Sequence, residues 1–377
     1  MAGTTIFTKK HNKFMDRETY FRLQNALKKY MVYNELVAAS AAAGLPLAPP
    51  IRASLRVTSR CNSDCAYCPY GKSRSKNRLD LPLDTLRQAI GSLADLGVKL
   101  LFLSGGEPLL RSDIFDICVH ATQLGMTVQL ATNGLLLTKD IAKNLNDAGV
   151  ANLIMSLDSL QEDIYYIHRG ITRPRITDAL ETLSFFSGLN DNNSAAVTFV
   201  VSQKNILELP SFISFVETFG KGRIGVNIQP YHKSAISRDS TLEPDAEDET
   251  AWISTIEQVI ELKRAASHIN VSEDYLRDIP AFVFHKDTMK GYCLSGYYGM
   301  YVQENMDVLP CWRLPPVGNL KDNTALDVWL SKPYKDARQR MLHKDCNKCM
   351  LMCHTSLGNW ANYLFDPDTY PKKHKNE

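Results

Sequence analysis

The chain has 377 residues, of which 44% are hydrophobic and 22% charged, and its formal net charge is +2. This length suits two domains, or one large α/β barrel with an appendage, and supplies ample apolar material for a core. The near-neutral balance excludes a broad basic surface for nucleic acid, and no apolar run is long enough to span a bilayer.

The first residues, "MAGTTIFTKKHNKFMDRETYF", lack the apolar stretch of a secretory signal. Residues 1–50 read as a helical extension closed by the stiff proline turn "GLPLAPP". A cytoplasmic, reducing setting follows, so the nine cysteines need a reason other than disulfides. Three of them lie at 61, 65 and 68 and five at 293, 311, 346, 349 and 353, whereas Cys118 stands alone. Cys118 shares a helical apolar stripe with Ile114, Ile117 and Ala121 and reads as a core residue.

From residue 51 a regular alternation begins. Apolar, β-rich runs at 53–59, 99–105, 127–133, 152–158, 196–202 and 224–230 are separated by helix-period segments at 83–96, 112–124, 138–148, 175–188 and 208–219. This pattern predicts an α/β fold whose parallel sheet is buried on both faces. Six units fall short of eight-stranded closure, so a partial (β/α)6 barrel, TIM-like but open-sided, is expected over residues 51–235. The unusual residues follow the strands: the cysteines, "GGEP", "TNG", "LDS" and "QPYH". In parallel α/β folds, chemistry sits at the C-terminal strand ends.

Residues 236–290 read as a helical linker, with a long helix near 248–267. Residues 291–362 read as a small cysteine-rich α+β domain, opening with a hairpin whose turn is "ENMD" (304–307). The tail, 363–377, reads as disordered.

Cys61, Cys65 and Cys68 follow the first strand with the spacing C-x3-C-x2-C. Thiolates suit zinc or iron–sulfur clusters. Structural zinc wants four ligands, and no fourth cysteine or plausible histidine lies nearby. A [4Fe–4S] cluster held by three cysteines leaves one iron open.

This motif, with Tyr67 before its last cysteine and "GGEP" (105–108) after the second strand, resembles the radical S-adenosylmethionine (SAM) enzymes. The resemblance implies that the open iron chelates SAM, and that an electron from the cluster cleaves it to a 5′-deoxyadenosyl radical that takes a hydrogen atom from substrate. It further implies that Gly105, Gly106, Glu107 and Pro108 serve the SAM amino group. Thr132, Asn133, Ser156 and Asp158 are implied near its ribose and carboxylate, with Arg169 pairing a carboxylate and Gln229 bordering the adenine. An external one-electron reductant of flavodoxin or ferredoxin type is implied as a partner.

The five C-terminal cysteines, Cys293-x17-Cys311 and Cys346-x2-Cys349-x3-Cys353, read as a metal site, with four-cysteine zinc as the rival. Their layout resembles the SPASM/twitch domain of many radical SAM enzymes. The full pattern carries seven or eight cysteines, so the shorter twitch form with one auxiliary [4Fe–4S] cluster is expected, on Cys293, Cys311, Cys346 and Cys349. Cys353 either replaces one of these or lies free, where its thiol could donate a hydrogen atom to a product radical.

The expected activity is radical oxidation or rearrangement of a small metabolite in natural-product biosynthesis. The alternative is epimerisation, crosslinking or oxidation of a ribosomally made peptide, with the roughly fifty residues before the barrel too few for a leader-binding winged helix. A third reading, a zinc protein binding nucleic acid, has "YGKSRSKNR" (70–78) as its only basic candidate, which otherwise reads as a solvated loop. Tyr165, Tyr231, His232 and Glu304 are expected near substrate by position alone.

Overall fold

The computed structural model describes residues 33–68, 80–172, 175–232, 240–265, 268–285, 293–343 and 349–350. The basic stretch at 70–78, Cys346, Cys353 and the tail lie outside the described residues, as does most of the N-terminal extension.

The expected alternation forms. After helix α1 (33–43) come β1 (Arg52–Arg56), α2 (Leu83–Leu96), β2 (Leu100–Ser104), α3 (Ile114–Gln123), β3 (Thr127–Thr132), α4 (Lys139–Asp147) and β4 (Val150–Ser156). Next are α5 (Glu162–Arg169), α6 (Ile176–Gly188), β5 (Ser194–Val201), α7 (Leu209–Gly220) and β6 (Ile224–Pro230). The helices form where the periodicity places them. In α2, buried Leu86, Ala89, Ile90 and Leu93 make one stripe, and Gly97, in the left-handed region at φ 108°, ends the helix by donating to the carbonyl of Ala94. Thr138 caps α4 by accepting from the amide of Ile141 at 3.2 Å. Helix α5 goes beyond the expected elements; it carries Arg169 in its last turn and ends at Gly170, φ 64°.

The linker contains α8 (Glu249–Ala265) and α9 (Glu273–His285), which pack on each other. The chain then returns to the opposite edge of the sheet. Short α10 (Ser295–Tyr298) leads into β7 (Gly299–Val302), which pairs in parallel with β1, so that Leu55 lies opposite Val302. The expected hairpin follows: β8 (Asp307–Leu309) runs antiparallel to β7, and β9 (Gly318–Asn319) antiparallel to β8. The sheet order is β6-β5-β4-β3-β2-β1-β7-β8-β9, and among the described residues its end strands β6 and β9 do not pair with each other. Helices α11 (Ala325–Leu330) and α12 (Lys332–Leu342) complete the described fold.

One expectation is corrected. The sheet is not buried alike on both faces: β1 and β2 alternate buried and half-buried positions. Leu55, Leu101, Leu103, Val128, Leu130 and Leu153, all fully enclosed, form the face under the helices. Each contributes roughly 1.5–3 kcal/mol by burial. The opposite face carries half-buried Arg56, Ser104, Gln129, Ser156, Thr198 and Gln229. Ser156 lies level with Thr198, and Thr198 with Asn227. A sheet that does not close has no reason to fill its interior with hydrocarbon, and here that interior is polar.

Candidate active site

The cysteine loop leaves the C-terminal end of β1 and is clamped on two sides. On one side lies the strap after β2. The amide of Gly106 donates to the Thr58 carbonyl at 2.8 Å and that of Glu107 to the Arg60 carbonyl at 2.7 Å. No side chain fits between: a Cβ on Gly106 would stand 2.0 Å from the Arg60 carbonyl oxygen, and one on Gly105 2.4 Å from that of Thr58. Pro108 begins a short 3-10 turn (Pro108–Leu110) that Glu107 caps.

On the other side lies the end of α5. The amide of Asp64 donates to the Arg169 carbonyl and that of Ala66 to the His168 carbonyl, both at 2.9 Å. Gly170 is required there, since a Cβ would stand 2.6 Å from the Asp64 carbonyl oxygen. The loop is therefore fixed on both sides by backbone contacts.

Glu107 is fully enclosed. Its carboxylate accepts from the Thr132 hydroxyl at 2.9 Å, the Asn133 amide at 2.6 Å and the Leu109 amide at 3.1 Å. Burial pushes its pKa up, and these donors offset part of the shift. Asn133 in turn donates to Asn62 Oδ1 at 2.6 Å and Ser63 Oγ at 2.9 Å, tying β3 to the cysteine loop. Thr132, Asn133 and Glu107 thus form one network whose polar groups face each other.

Tyr67, Asp158 and Arg169 form a second knot. The Tyr67 hydroxyl donates to Asp158 Oδ2 at 2.6 Å, Arg169 Nε donates to the same oxygen at 2.5 Å, and the Val200 amide donates to Oδ1 at 2.9 Å. Asp158 has no exposed surface. Burial pulls its pKa upward, but the charge of Arg169 beside it prevails and holds the carboxyl below its usual range. The carboxylate that Arg169 pairs with is therefore one of the chain's own. Its second branch reaches sulfur: Nη1 donates to Cys65 Sγ at 3.7 Å.

Burial raises the Cys61 thiol above its ordinary pKa and takes Cys65 to about 11, with Arg169 opposing the rise at Cys65. Such thiols stay protonated unless a positive centre binds them. Among the described residues no three Cys, His, Asp or Glu side chains converge closely enough for a single metal ion. Three thiols on one clamped loop, with an N–H already aimed at a sulfur, fit a larger iron–sulfur cluster.

Of the remaining expected residues, Ser156 and Gln229 face the polar interior from β4 and β6. Tyr165 is buried in the core, and Tyr231 is buried with its ring edge-on to Tyr67 at 6.2 Å. Glu304 lies in the turn after β7, with Oε2 enclosed and no hydrogen-bond partner among the described residues. Because β7 runs parallel to β1, this turn sits at the same end of the sheet as the cysteines. The sequence reading missed His168, whose ring bridges the Ile164 carbonyl and Ser202 Oγ, both at 2.8 Å, and Asn205, which donates to the Asp158 carbonyl at 2.8 Å. It also missed Arg111, which donates to the carbonyls of Val57 and Leu81 beneath the loop. A helix stop read from "HRG" at 168–170 is the one local signal that could have found the first of these.

At the C-terminal cysteines, Cys293 and Cys311 pack in one cluster with Leu314, Ala337 and Met341. Cys349 is buried. Trp312, next to Cys311, lies 6.3 Å from the ring of His232, and His232 Nε2 accepts from the Met350 amide at 2.9 Å. The end of β6 and two of the cysteine segments thus meet through one histidine. No disulfide joins the described cysteines.

Comparison with known proteins agrees with this arrangement. The model of the Radical SAM superfamily matches residues 55–185, and that of the SPASM iron-sulfur cluster-binding domain residues 293–350. The AdoMet-dependent heme synthase of Methanosarcina barkeri is 27% identical over 284 residues, covering 72% of this chain and 80% of the relative. The PqqA peptide cyclase of Gluconobacter oxydans is 25% identical over 293 residues, covering 76% and 78%. Among solved structures, Streptococcus suis SuiB bound to precursor peptide SuiA superimposes with a TM-score of 0.61 at 17% identity, covering 88% of this chain and 75% of that one. The anSMEcpe structure with bound AdoMet and Cp18Cys peptide gives a TM-score of 0.57 at 16% identity, covering 78% and 83%. These likenesses are of fold. The two matched families imply a SAM-binding [4Fe–4S] cluster and auxiliary cluster binding. No helix of the described residues is long and apolar enough to cross a membrane.

Proposed function

We propose, for a chain that belongs to the radical SAM superfamily and carries a SPASM iron–sulfur domain, that it abstracts a hydrogen atom from an unactivated C–H bond of a peptide. The observation that carries the radical chemistry is the loop of Cys61, Cys65 and Cys68, fixed between the Gly105–Gly106 strap and the end of α5. When bound, the cluster and SAM supply the reductive cleavage that yields a 5′-deoxyadenosyl radical. The chain's own residues do the positioning. Arg169 donates to Cys65 and to Asp158, and Tyr67 donates to the same Asp158 oxygen. Glu107 fixes Thr132 and Asn133 at the mouth, and Ser156 and Gln229 present polar groups from the interior face. Glu304 receives a substrate N–H or O–H. Electrons come from an external flavodoxin or ferredoxin type of reductant. Cys293, Cys311, Cys346 and Cys349 hold an auxiliary cluster, and Cys353 either replaces one of these or lies free as a hydrogen donor.

The peptide substrate is preferred because the PqqA peptide cyclases match 74% and 76% of this chain over 69% and 78% of their own length. A small-metabolite substrate is the second reading, favoured by the heme synthase relative at 27% identity. Anaerobic reconstitution followed by assay of SAM cleavage tests the radical step. Roughly eight irons per chain are expected for two clusters; zinc with no cleavage would sink it. Transfer of deuterium into 5′-deoxyadenosine from labelled peptides, and not from labelled metabolites, separates the two substrate classes. Cys353→Ala with iron reduced to a single cluster would show a ligand and end the donor role.

A further inference from the structure

Arg338, in the middle of α12, is 1% exposed. Its guanidinium stacks over the rings of Trp329 at 4.0 Å and Tyr334 at 4.2 Å, with Tyr297 at 5.6 Å. Nε donates to the Gly296 carbonyl and Nη2 to that of Trp329, each at 2.8 Å. No carboxylate of the described residues pairs with it. A buried arginine is ordinarily matched by an anion, because removing its charge from water is costly. Aromatic faces and two carbonyls return part of that cost without supplying a negative charge. Burial accordingly lowers its pKa to about 10, which still leaves it cationic at neutral pH.

The arginine's position suggests where the anion belongs. Ala337 and Met341, on the same stretch of α12, belong to the buried cluster that contains Cys293 and Cys311. Gly296, which receives Nε, is three residues beyond Cys293, and a Cβ there would meet both Arg338 and Met341 at 3.1 Å. A cluster ligated by four thiolates carries net negative charge, and its potential responds to local charge, hydrogen bonding and burial.

We infer that Arg338 is a positioning residue: it is the buried counter-charge of the iron–sulfur cluster at the C-terminal cysteines and holds that cluster's reduction potential up. The inference rests on the proposed auxiliary cluster. Removing a fixed cation near a negative centre disfavours the added electron, so the potential falls.

The test is a redox titration followed by electron paramagnetic resonance on the reconstituted full chain. Wild type, R338K, R338Q and R338M are each compared with and without Cys61→Ala, Cys65→Ala and Cys68→Ala, which leave only the C-terminal cluster. R338Q and R338M are expected to lower its midpoint by at least about 59 mV, a tenfold change in the reduced-to-oxidised ratio for one electron. R338K is expected to stay near wild type, and the Cys61-loop cluster to be unmoved. Loss of C-terminal iron in R338Q and R338M with retention in R338K also supports the counter-charge. A shift below about 18 mV in R338Q or R338M, a twofold change, overturns it, as does loss of iron in R338K, which would mark a packing role. Wild type with a single cluster, at the Cys61 loop alone, would instead remove the auxiliary-cluster reading, and this inference with it.

Discussion

Asp158→Asn separates the two roles that the Tyr67–Asp158–Arg169 knot combines. The substitution keeps shape and removes one charge. At 2.5 Å the Arg169–Asp158 contact has a Coulomb energy of roughly 6–7 kcal/mol at an effective dielectric of about 20. Desolvation of both groups opposes this, so breaking the pair is expected to cost about 3–5 kcal/mol, chiefly because Arg169 is left charged and enclosed. The damage is local to the cysteine loop, since Arg169 also supplies the carbonyl that holds Asp64 and the N–H that meets Cys65. Urea unfolding of the reconstituted chain gives the stability loss, and iron analysis gives the loading, which should fall from roughly eight toward four per chain. The pH dependence is a second signature. The folded pKa of Asp158 lies below its unfolded value of about 3.9. Its contribution is therefore fully present above that pH and is lost as pH falls through the folded value. Asp158→Asn should flatten this acid limb. Stability of the Asp158→Asn protein within about 0.5 kcal/mol of wild type, with full iron and an unchanged acid limb, would refute the reasoning.

Gly106→Ala should abolish iron binding at the first site, because the new Cβ would meet backbone at 2.0 Å; a variant with normal absorbance and SAM cleavage would contradict this. Gly91→Ala, in α2 with nothing within 4 Å of the new Cβ, should instead raise stability by about 0.5–1 kcal/mol in thermal unfolding. Glu107→Ala orphans three donors and should lower stability by roughly 2–4 kcal/mol while weakening iron retention, read by calorimetry and iron content. Cys118 is fully enclosed, and burial raises its thiol to about 12. Cys118→Ala should leave iron content and SAM cleavage intact, and alkylation of the native protein should spare this position.

The strand–helix alternation from 51 to 230 was legible because each element's signal is local: a run of apolar residues or a stripe at helical spacing. The cysteine loop and "GGEP" were legible for the same reason, since their spacing and place after a strand are one-dimensional facts. Helix α5 escaped because "EDIYYIHR" is short and polar, with only Tyr165, His168 and Arg169 buried. Burial on both faces was inferred from apolar runs, yet an open sheet leaves its interior face to half-buried polar residues.

Sequence alone thus placed three thiols after the first strand, a Gly-Gly pair after the second, and a further group of cysteines from residue 293 onward. Tertiary structure decided what surrounds them. Asp158 and Arg169 are eleven residues apart in sequence but face Tyr67, which lies 91 residues from Asp158. Arg338 became notable only when three aromatic rings and no carboxylate were found around it among the described residues. Charge pairing depends on which groups share an enclosed volume, and that is set by the folded chain's geometry, which no local pattern of residues encodes.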